Sequence, residues 1–269
     1  MPNLPLIYQR AIEAAIEASR AIIKIYEQDF QQVIKQDGSP VTEADHAASA
    51  CIEKILAPLG IPITGEESEK APYELRQNWK QSWCIDPLDG TKEFIKRNGE
   101  FAVNIALIEN GNPTFGLIAA PVEEKILLGS KETGVFLFSF KASEYPKKWH
   151  RISVPTQINI PIVMACSRSH HSGPVLQFIH DIKALGHEIE YLKKGSALKF
   201  FDLALGTADI YPRYAPTMEW DIAAGQAILE ALGGEVVHAE TGQALQYNKA
   251  HLVNPYFVAR TAASKKHLL

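Results

Sequence analysis

Cysteine is scarce in this chain: three in 269 residues, at Cys51, Cys84 and Cys166. They are odd in number, widely separated and without metal-ligand spacing. That argues against a disulfide framework or a thiolate metal site and fits reduced core residues of a cytoplasmic protein. Long apolar runs are also missing. None approaches the roughly 18 residues that span a bilayer, and Met1-Pro2-Asn3-Leu4-Pro5 lacks the basic-then-apolar layout of a secretory signal. The formal net charge is −4, so there is no broad positive field to recruit double-stranded nucleic acid. Basic clusters at Lys141 to Arg151 and at Lys265-Lys266-His267 read as solvated loop and tail. They leave room for no more than a weak peripheral contact with an anionic inner-membrane surface. Internal repeats and low-complexity segments are absent, and no Ser or Cys stands beside a base in a pattern that marks a covalent nucleophile.

What is present is an ordinary globular composition, 46% hydrophobic and 22% charged, long enough for one large or two closely joined domains with a sizeable core. Ile12, Ala15, Ile16, Ser19, Ile22 and Ile23 recur at helical spacing, which predicts an amphipathic helix over about Leu6 to Gln28. A loop at Asp37-Gly38-Ser39-Pro40 precedes a second helix with Ala44, Ala47, Ala48, Cys51, Ile52 and Ile55 on one face. Short β-like runs follow at 61–65, 101–109, 114–120, 125–129 and 135–138, spaced as an antiparallel meander. Residues 144–150 read as a polar connection. Beyond it strands (162–165, 188–192, 208–211, 235–237) alternate with helices (174–185, 196–205, 219–232), which favours a layered α/β arrangement. The expected division is an N-terminal α+β part over 1–150 and a C-terminal α/β part over 151–269.

The most informative stretch is Trp83-Cys84-Ile85-Asp86-Pro87-Leu88-Asp89-Gly90-Thr91. An apolar run stopping at Asp-Pro reads as a buried strand that ends where the chain must turn. Pro87 fixes its own φ and restricts Asp86, so two carboxylates three residues apart can be aimed at one cluster of hard cations. Gly90 and Thr91 add backbone N–H groups and a hydroxyl for an anion held there. Taken alone, Asp-Pro and Asp-Gly are common turn dipeptides, and the stretch is as well explained as punctuation. Other acidic residues also fall at element boundaries: Glu66 at a strand end, Asp221 after Trp220 at a helix start. Each has a plainer reading. Glu67 belongs to a solvated acidic pair, Asp221 suits a helix dipole, and Asp45 completes the capping-box pattern Thr42-Glu43-Ala44-Asp45. Gly233-Gly234 reads as a left-handed helix cap.

The ordered combination decides between these readings. Ser39-Pro40-Val41-Thr42-Glu43-Ala44-Asp45, Gly65-Glu66-Glu67, Asp86-Pro87-Leu88-Asp89-Gly90-Thr91 and Trp220-Asp221 with Gly233-Gly234 together resemble the inositol monophosphatase superfamily of Mg²⁺-dependent, lithium-sensitive phosphatases. Thr91-Lys92-Glu93-Phe94-Ile95, Gly99 to Leu107, Ser167-Arg168-Ser169-His170, Gly195 to Phe200 and Tyr211-Pro212-Arg213 are similar to its CysQ-type 3′(2′),5′-bisphosphate nucleotidase branch. The resemblance implies an αβαβα sandwich and removal of the 3′-phosphate from 3′-phosphoadenosine 5′-phosphate, a by-product of sulfate assimilation. It implies two or more Mg²⁺ ions held by Glu66, Asp86, Asp89, Asp221 and the Leu88 carbonyl. Asp45, Glu66 and Thr91 would activate the attacking water. Gly90 and Thr91 N–H groups would contact the scissile phosphate, and His170, Ser196, Lys199 and Arg213 the 5′-phosphate. Trp220 would pack behind the metal site. Rival readings are an inositol or sugar monophosphatase, trimming of short oligonucleotides, and a non-catalytic nucleotide-binding regulator, the last disfavoured because every acidic ligand is present. Monomer and homodimer both stay open.

Overall fold

The computed structural model describes residues 4–34, 40–167 and 173–268. The chain opens with helix α1 (Leu6–Tyr26), an antiparallel pair β1 (Gln32–Ile34) and β2 (Pro40–Thr42), and helix α2 (Glu43–Leu56). Buried alanines on the facing surfaces, Ala11, Ala15 and Ala18 of α1 with Ala44 and Ala48 of α2, let these helices lie together. Next come β3 (Ile63–Gly65), α3 (Tyr73–Arg76), β4 (Gln81–Asp89), α4 (Thr91–Ile95), β5 (Ala102–Glu109), β6 (Asn112–Ala120), β7 (Lys125–Ser130), β8 (Gly134–Ser139) and β9 (His150–Arg151). Their seven strands form one sheet in sequence order; β3 is parallel to β4 and every later neighbour is antiparallel. The predicted meander is therefore present.

The remaining elements are β10 (Ile162–Cys166), α5 (Pro174–Ala184), β11 (Ile189–Lys193), α6 (Lys199–Leu205), β12 (Ile210–Arg213), α7 (Glu219–Ala231), β13 (Glu235–His238), β14 (Phe257–Arg260) and α8 (Ala262–His267). The second sheet has five strands in the order β11-β10-β12-β14-β13. β14 lies between β12 and β13 and is antiparallel to both.

Period-two alternation distributes strands β4 to β8 of the large sheet between two cores. Val103, Ile105 and Leu107 of β5 join α1 and α2 in the first. Ala102, Ala106 and Ile108 join α6, α7 and the small sheet in the second. A third cluster, including Ile162, Met164 and Ile210 with Val175, Ile179 and Ile182 of α5, covers the outer face of the small sheet. Helix, sheet, helix, sheet, helix is the resulting αβαβα order. Tyr8 stacks on Phe115 at 4.0 Å with rings 9° apart, a contact that adds about 0.5–1.5 kcal/mol beyond the area it buries.

Helix α7 lies unusually close to the large sheet because β6 carries a glycine beneath it. A methyl group at Gly116 would sit 2.0 Å from the Ala224 carbonyl oxygen. Backbone cannot yield there as a flexible side chain would. Gly116→Ala is expected to cost about 1–3 kcal/mol or more, read as a lower denaturant midpoint at unchanged slope.

Three expectations change. Residues 144–150 are not simply a connection: Trp149 stacks on Phe138 at 3.9 Å, and β9 extends the first sheet through Arg151. The Lys265-Lys266-His267 run belongs to α8, where Thr261 caps the helix and Lys265 pairs with Glu235 at 2.8 Å. The helix predicted from Ser196 begins only at Lys199, since Ser196 has φ +48°. Among the described residues no helix is long and apolar enough to cross a membrane.

Candidate active site

Strict alternation would send Asp86 and Asp89, three residues apart, to opposite faces of β4. The strand register shows why it does not. Asp86 pairs with Asn104 and Asp89 with Ala102, three steps on β4 against two on β5. That β-bulge carries one extra residue and returns Asp89 to the face of Asp86. Pro87 fits inside it because a bulge needs no ladder N–H at every position. Leu88 turns into the first core, and its N–H donates to Asp86 Oδ1 at 3.0 Å.

Two further carboxylates reach Asp86 from other elements. Gly65 is the register partner of Ile85, and the Glu66 N–H donates to the Ile85 carbonyl at 3.1 Å, which sets Glu66 beside Asp86. Asp221 stands in the first turn of α7, where its Oδ2 accepts the Met218 N–H at 2.8 Å. One oxygen from each of Glu66, Asp86 and Asp221 lies within 4.8 Å of the others. Burial, then repulsion from Glu66, Asp89 and Asp221, pushes the Asp86 carboxyl well above the usual carboxylate range. Burial and Asp89 push Asp221 up to about 8. Asp89 is turned partly aside: its Oδ2 accepts the Ala197 N–H at 2.5 Å and the Asn104 amide at 3.2 Å. Burial raises it to about 6, against the opposing pull of Lys199.

Oxygen donors alone, with carboxylates as the main charges acting on Asp86, fit a hard divalent cation. The same repulsion gives a prediction for the metal-free protein. Folded pKa values of about 6 for Asp89 and about 8 for Asp221 lie above the ordinary 3.8. Their contribution to stability is therefore full at acid pH and lost as pH rises through those values. With chelator, the melting temperature should fall between pH 5 and pH 8.5, less so in Asp221→Asn, and Mg²⁺ should restore it at the alkaline end.

Asp45 performs the capping role and a second one. Its Oδ2 accepts the Thr42 N–H and hydroxyl, each at 2.7 Å. Its Oδ1 accepts the Thr91 hydroxyl at 3.0 Å. Burial raises the Asp45 carboxyl, opposed by these hydrogen bonds. Thr91 opens α4 directly after Gly90, whose φ of +98° is open to few other residues.

A cavity of about 420 Å³ is lined by Asp89, Gly90 and Asp221 together with Ser196, Lys199 and Arg213. Arg213 Nη1 donates to Ser167 Oγ at 3.0 Å, and its Nε is buried without a partner among the described residues. Lys199, implied by the resemblance as a phosphate contact, is 3% exposed. Its ammonium donates to the Ser196 and Lys194 carbonyls at 2.5 and 3.2 Å and lies 4.9 Å over the Tyr211 ring. Burial lowers it to about 8. Trp220 is buried in the second core with the Lys70 ammonium 5.2 Å over its ring. His170 and Ser39 lie outside the described residues. A larger cavity of about 670 Å³ lies against α1 and contains none of the predicted site residues.

Sequence reading missed Asn104 and the Ala197 N–H. For Asn104 a signal existed, a lone amide in the apolar run Ala102 to Ile108. For a backbone N–H none could.

Residues 4–268 match the model of the inositol monophosphatase family. A relative from Salmonella typhimurium, 3′(2′),5′-bisphosphate nucleotidase CysQ, is 39% identical over 93% of this chain and 97% of its own length. The protein of the same name from Escherichia coli is 38% identical over 91% and 96%. The crystal structure of CysQ from Bacteroides thetaiotaomicron, a bacterial member of that family, superposes with a TM-score of 0.83 at 39% identity, covering 94% of this chain and 96% of that one. Motif order, layered fold and near-complete coverage agree, and the chain belongs to the inositol monophosphatase family.

Proposed function

We propose that this protein is a Mg²⁺-dependent 3′(2′),5′-bisphosphate nucleotidase that removes the 3′-phosphate of 3′-phosphoadenosine 5′-phosphate, releasing AMP and phosphate. The observation that carries the reading is one cavity lined by Asp221 of the three-carboxylate group and by its neighbour Asp89 on one side, and by Lys199 and Arg213 on the other. A monophosphate ester needs the first group only; a second phosphate needs the cations as well. Similarity to the nucleotidases of Salmonella and Escherichia supports the same choice. A volume of about 420 Å³ is within the range of small-molecule sites.

Glu66, Asp86 and Asp221, with Asp89 and the Leu88 carbonyl, would hold two or more Mg²⁺ ions. When bound, such ions neutralise phosphoryl oxygens and make a water acidic. The protein's own groups orient the reaction. The Thr91 hydroxyl donates to Asp45 at 3.0 Å, nearer than the Leu88 carbonyl at 3.3 Å. Its oxygen can therefore accept a hydrogen bond from the attacking water and, as it takes that water's proton, pass its own to Asp45. Asp45, kept in place by Thr42, is the base behind it, and Glu66 assists from the ligand side. Gly90 and Thr91 N–H groups hold the scissile phosphate. Arg213 faces the second phosphate with a planar, forked donor, while Lys199 adds charge from its carbonyl cradle. Ser196 borders the same volume, and the family resemblance implies His170 for the same phosphate. The parts 1–150 and 151–269 would form one catalytic unit, with α7 of the second packed on the sheet of the first.

Arg213→Ala tests the substrate assignment. Loss of a charged hydrogen bond is worth about 1.5–3 kcal/mol, so KM for the bisphosphate should rise about 10- to 100-fold with 3′-AMP little affected. An equal loss on both substrates would contradict the second-phosphate role.

A further inference from the structure

Buried between β5 and α7, Asn104 is 0% exposed. Its amide donates to Asp89 Oδ2 at 3.2 Å and to the Trp220 carbonyl at 3.4 Å. Both partners are acceptors only, so the NH₂ end must face them and the amide orientation follows from chemistry. Asp89 belongs to the large sheet and Trp220 directly precedes Asp221 on α7. A single side chain therefore spans the two elements that bring acidic groups to the site. We propose that Asn104 is a positioning residue for the metal site, acting through Asp89 and through the turn that carries Asp221.

The cost of this arrangement supports the assignment. Asn104 Oδ1 is buried without a partner among the described residues, and an unsatisfied buried polar atom costs about 1–3 kcal/mol. The surrounding strand positions, Ala102, Val103, Ile105, Ala106 and Leu107, are all apolar and buried. An aliphatic residue at position 104 would suit that core better. An amide with an orphaned acceptor is explained by what its donors do, not by packing. The Ala197 N–H shares Asp89 Oδ2 at 2.5 Å. Both donors thus act on one oxygen, and Oδ1 is the oxygen of Asp89 left to a cation. Without Asn104, Asp89 is held from one side only and the Trp220 carbonyl loses its link to the sheet.

This inference rests on the reading that Asp89 and Asp221 bind metal. Its test is calorimetric titration of Mg²⁺ into chelator-stripped wild type and Asn104→Leu without substrate, with metal-free melting temperatures and phosphate release measured on the same samples. Outer partners of metal ligands are typically worth about 10- to 100-fold in affinity. We expect Mg²⁺ binding weakened by that factor in Asn104→Leu, with a metal-free melting temperature at or above wild type. If Leu overfills the site and the variant fails to fold, Asn104→Ala is read by the same Mg²⁺ criterion. Unchanged Mg²⁺ affinity with a lowered melting temperature would overturn the proposal and leave Asn104 structural. Wild type that binds Mg²⁺ but releases no phosphate would overturn the substrate reading while the affinity comparison still judges Asn104. Wild type that binds no Mg²⁺ would overturn both.

Discussion

Asp86→Asn should reduce turnover by roughly 10²–10³-fold or more and at the same time stabilise the metal-free fold at neutral pH. The two effects have one cause. Asp86 is 2% exposed and faces Glu66, Asp89 and Asp221, so without a cation its charge is buried among like charges. Removing the charge relieves that repulsion. It also removes a ligand oxygen from the group formed with Glu66 and Asp221, whose oxygens lie within 4.8 Å of one another. The Asn side chain keeps the size of Asp and can still accept the Leu88 N–H, which at 3.0 Å fixes the bulge. Loss of fold is therefore not the expected cause of inactivity. Melting curves with and without Mg²⁺ would check this: wild type should gain stability on adding the ion, while the variant should start higher and gain little. A variant that starts lower would mean that Asp86 stabilises the fold directly.

Asp45→Asn and Thr91→Val should each lower kcat by about 10²–10⁴-fold, the usual range for proton transfer, with Mg²⁺ affinity nearly unchanged. Asp45 and Thr91 touch each other at 3.0 Å, and neither belongs to the three-carboxylate group. They differ in stability. Asp45 Oδ2 also closes the capping box on Thr42, so Asp45→Asn should cost about 1 kcal/mol in addition, whereas Thr91→Val should cost less. Thr91→Ser keeps the hydroxyl and should keep most of the activity. The double variant Asp45→Asn, Thr91→Val should be no slower than the poorer single one, because the two act as a unit. Additive losses, measured as kcat on one saturating substrate, would separate their roles.

Much of this site was legible because acidic residues at element ends stand out against apolar runs. Asp86, Asp89, Glu66 and Asp221 are visible that way but carry plainer readings until the ordered motifs are taken together, and the alternating strands of the large sheet announce themselves by period. What escaped depended on placement in three dimensions. The bulge at Pro87-Leu88 decides which face Asp89 takes, yet strand alternation alone predicts the opposite face. The resemblance names Lys199, but its burial beneath the Lys194 and Ser196 carbonyls and over Tyr211 follows only from how α6 is placed. Phe257 to Arg260 shows no alternation of its own; it becomes a strand between β12 and β13, where all four residues are buried. Trp149 was hidden in a polar segment whose purpose is to bring it onto Phe138.

The most direct test of the account is phosphate release by the purified protein from 3′-phosphoadenosine 5′-phosphate and from inositol 1-phosphate, side by side, with Mg²⁺, with Mg²⁺ and lithium, and with chelator. The nucleotide should be strongly preferred, with turnover depressed by lithium and abolished by chelator. Preference for the inositol ester would contradict the assignment of Arg213 and Lys199 to a second phosphate, and turnover that survives metal removal would contradict the role given to the carboxylates.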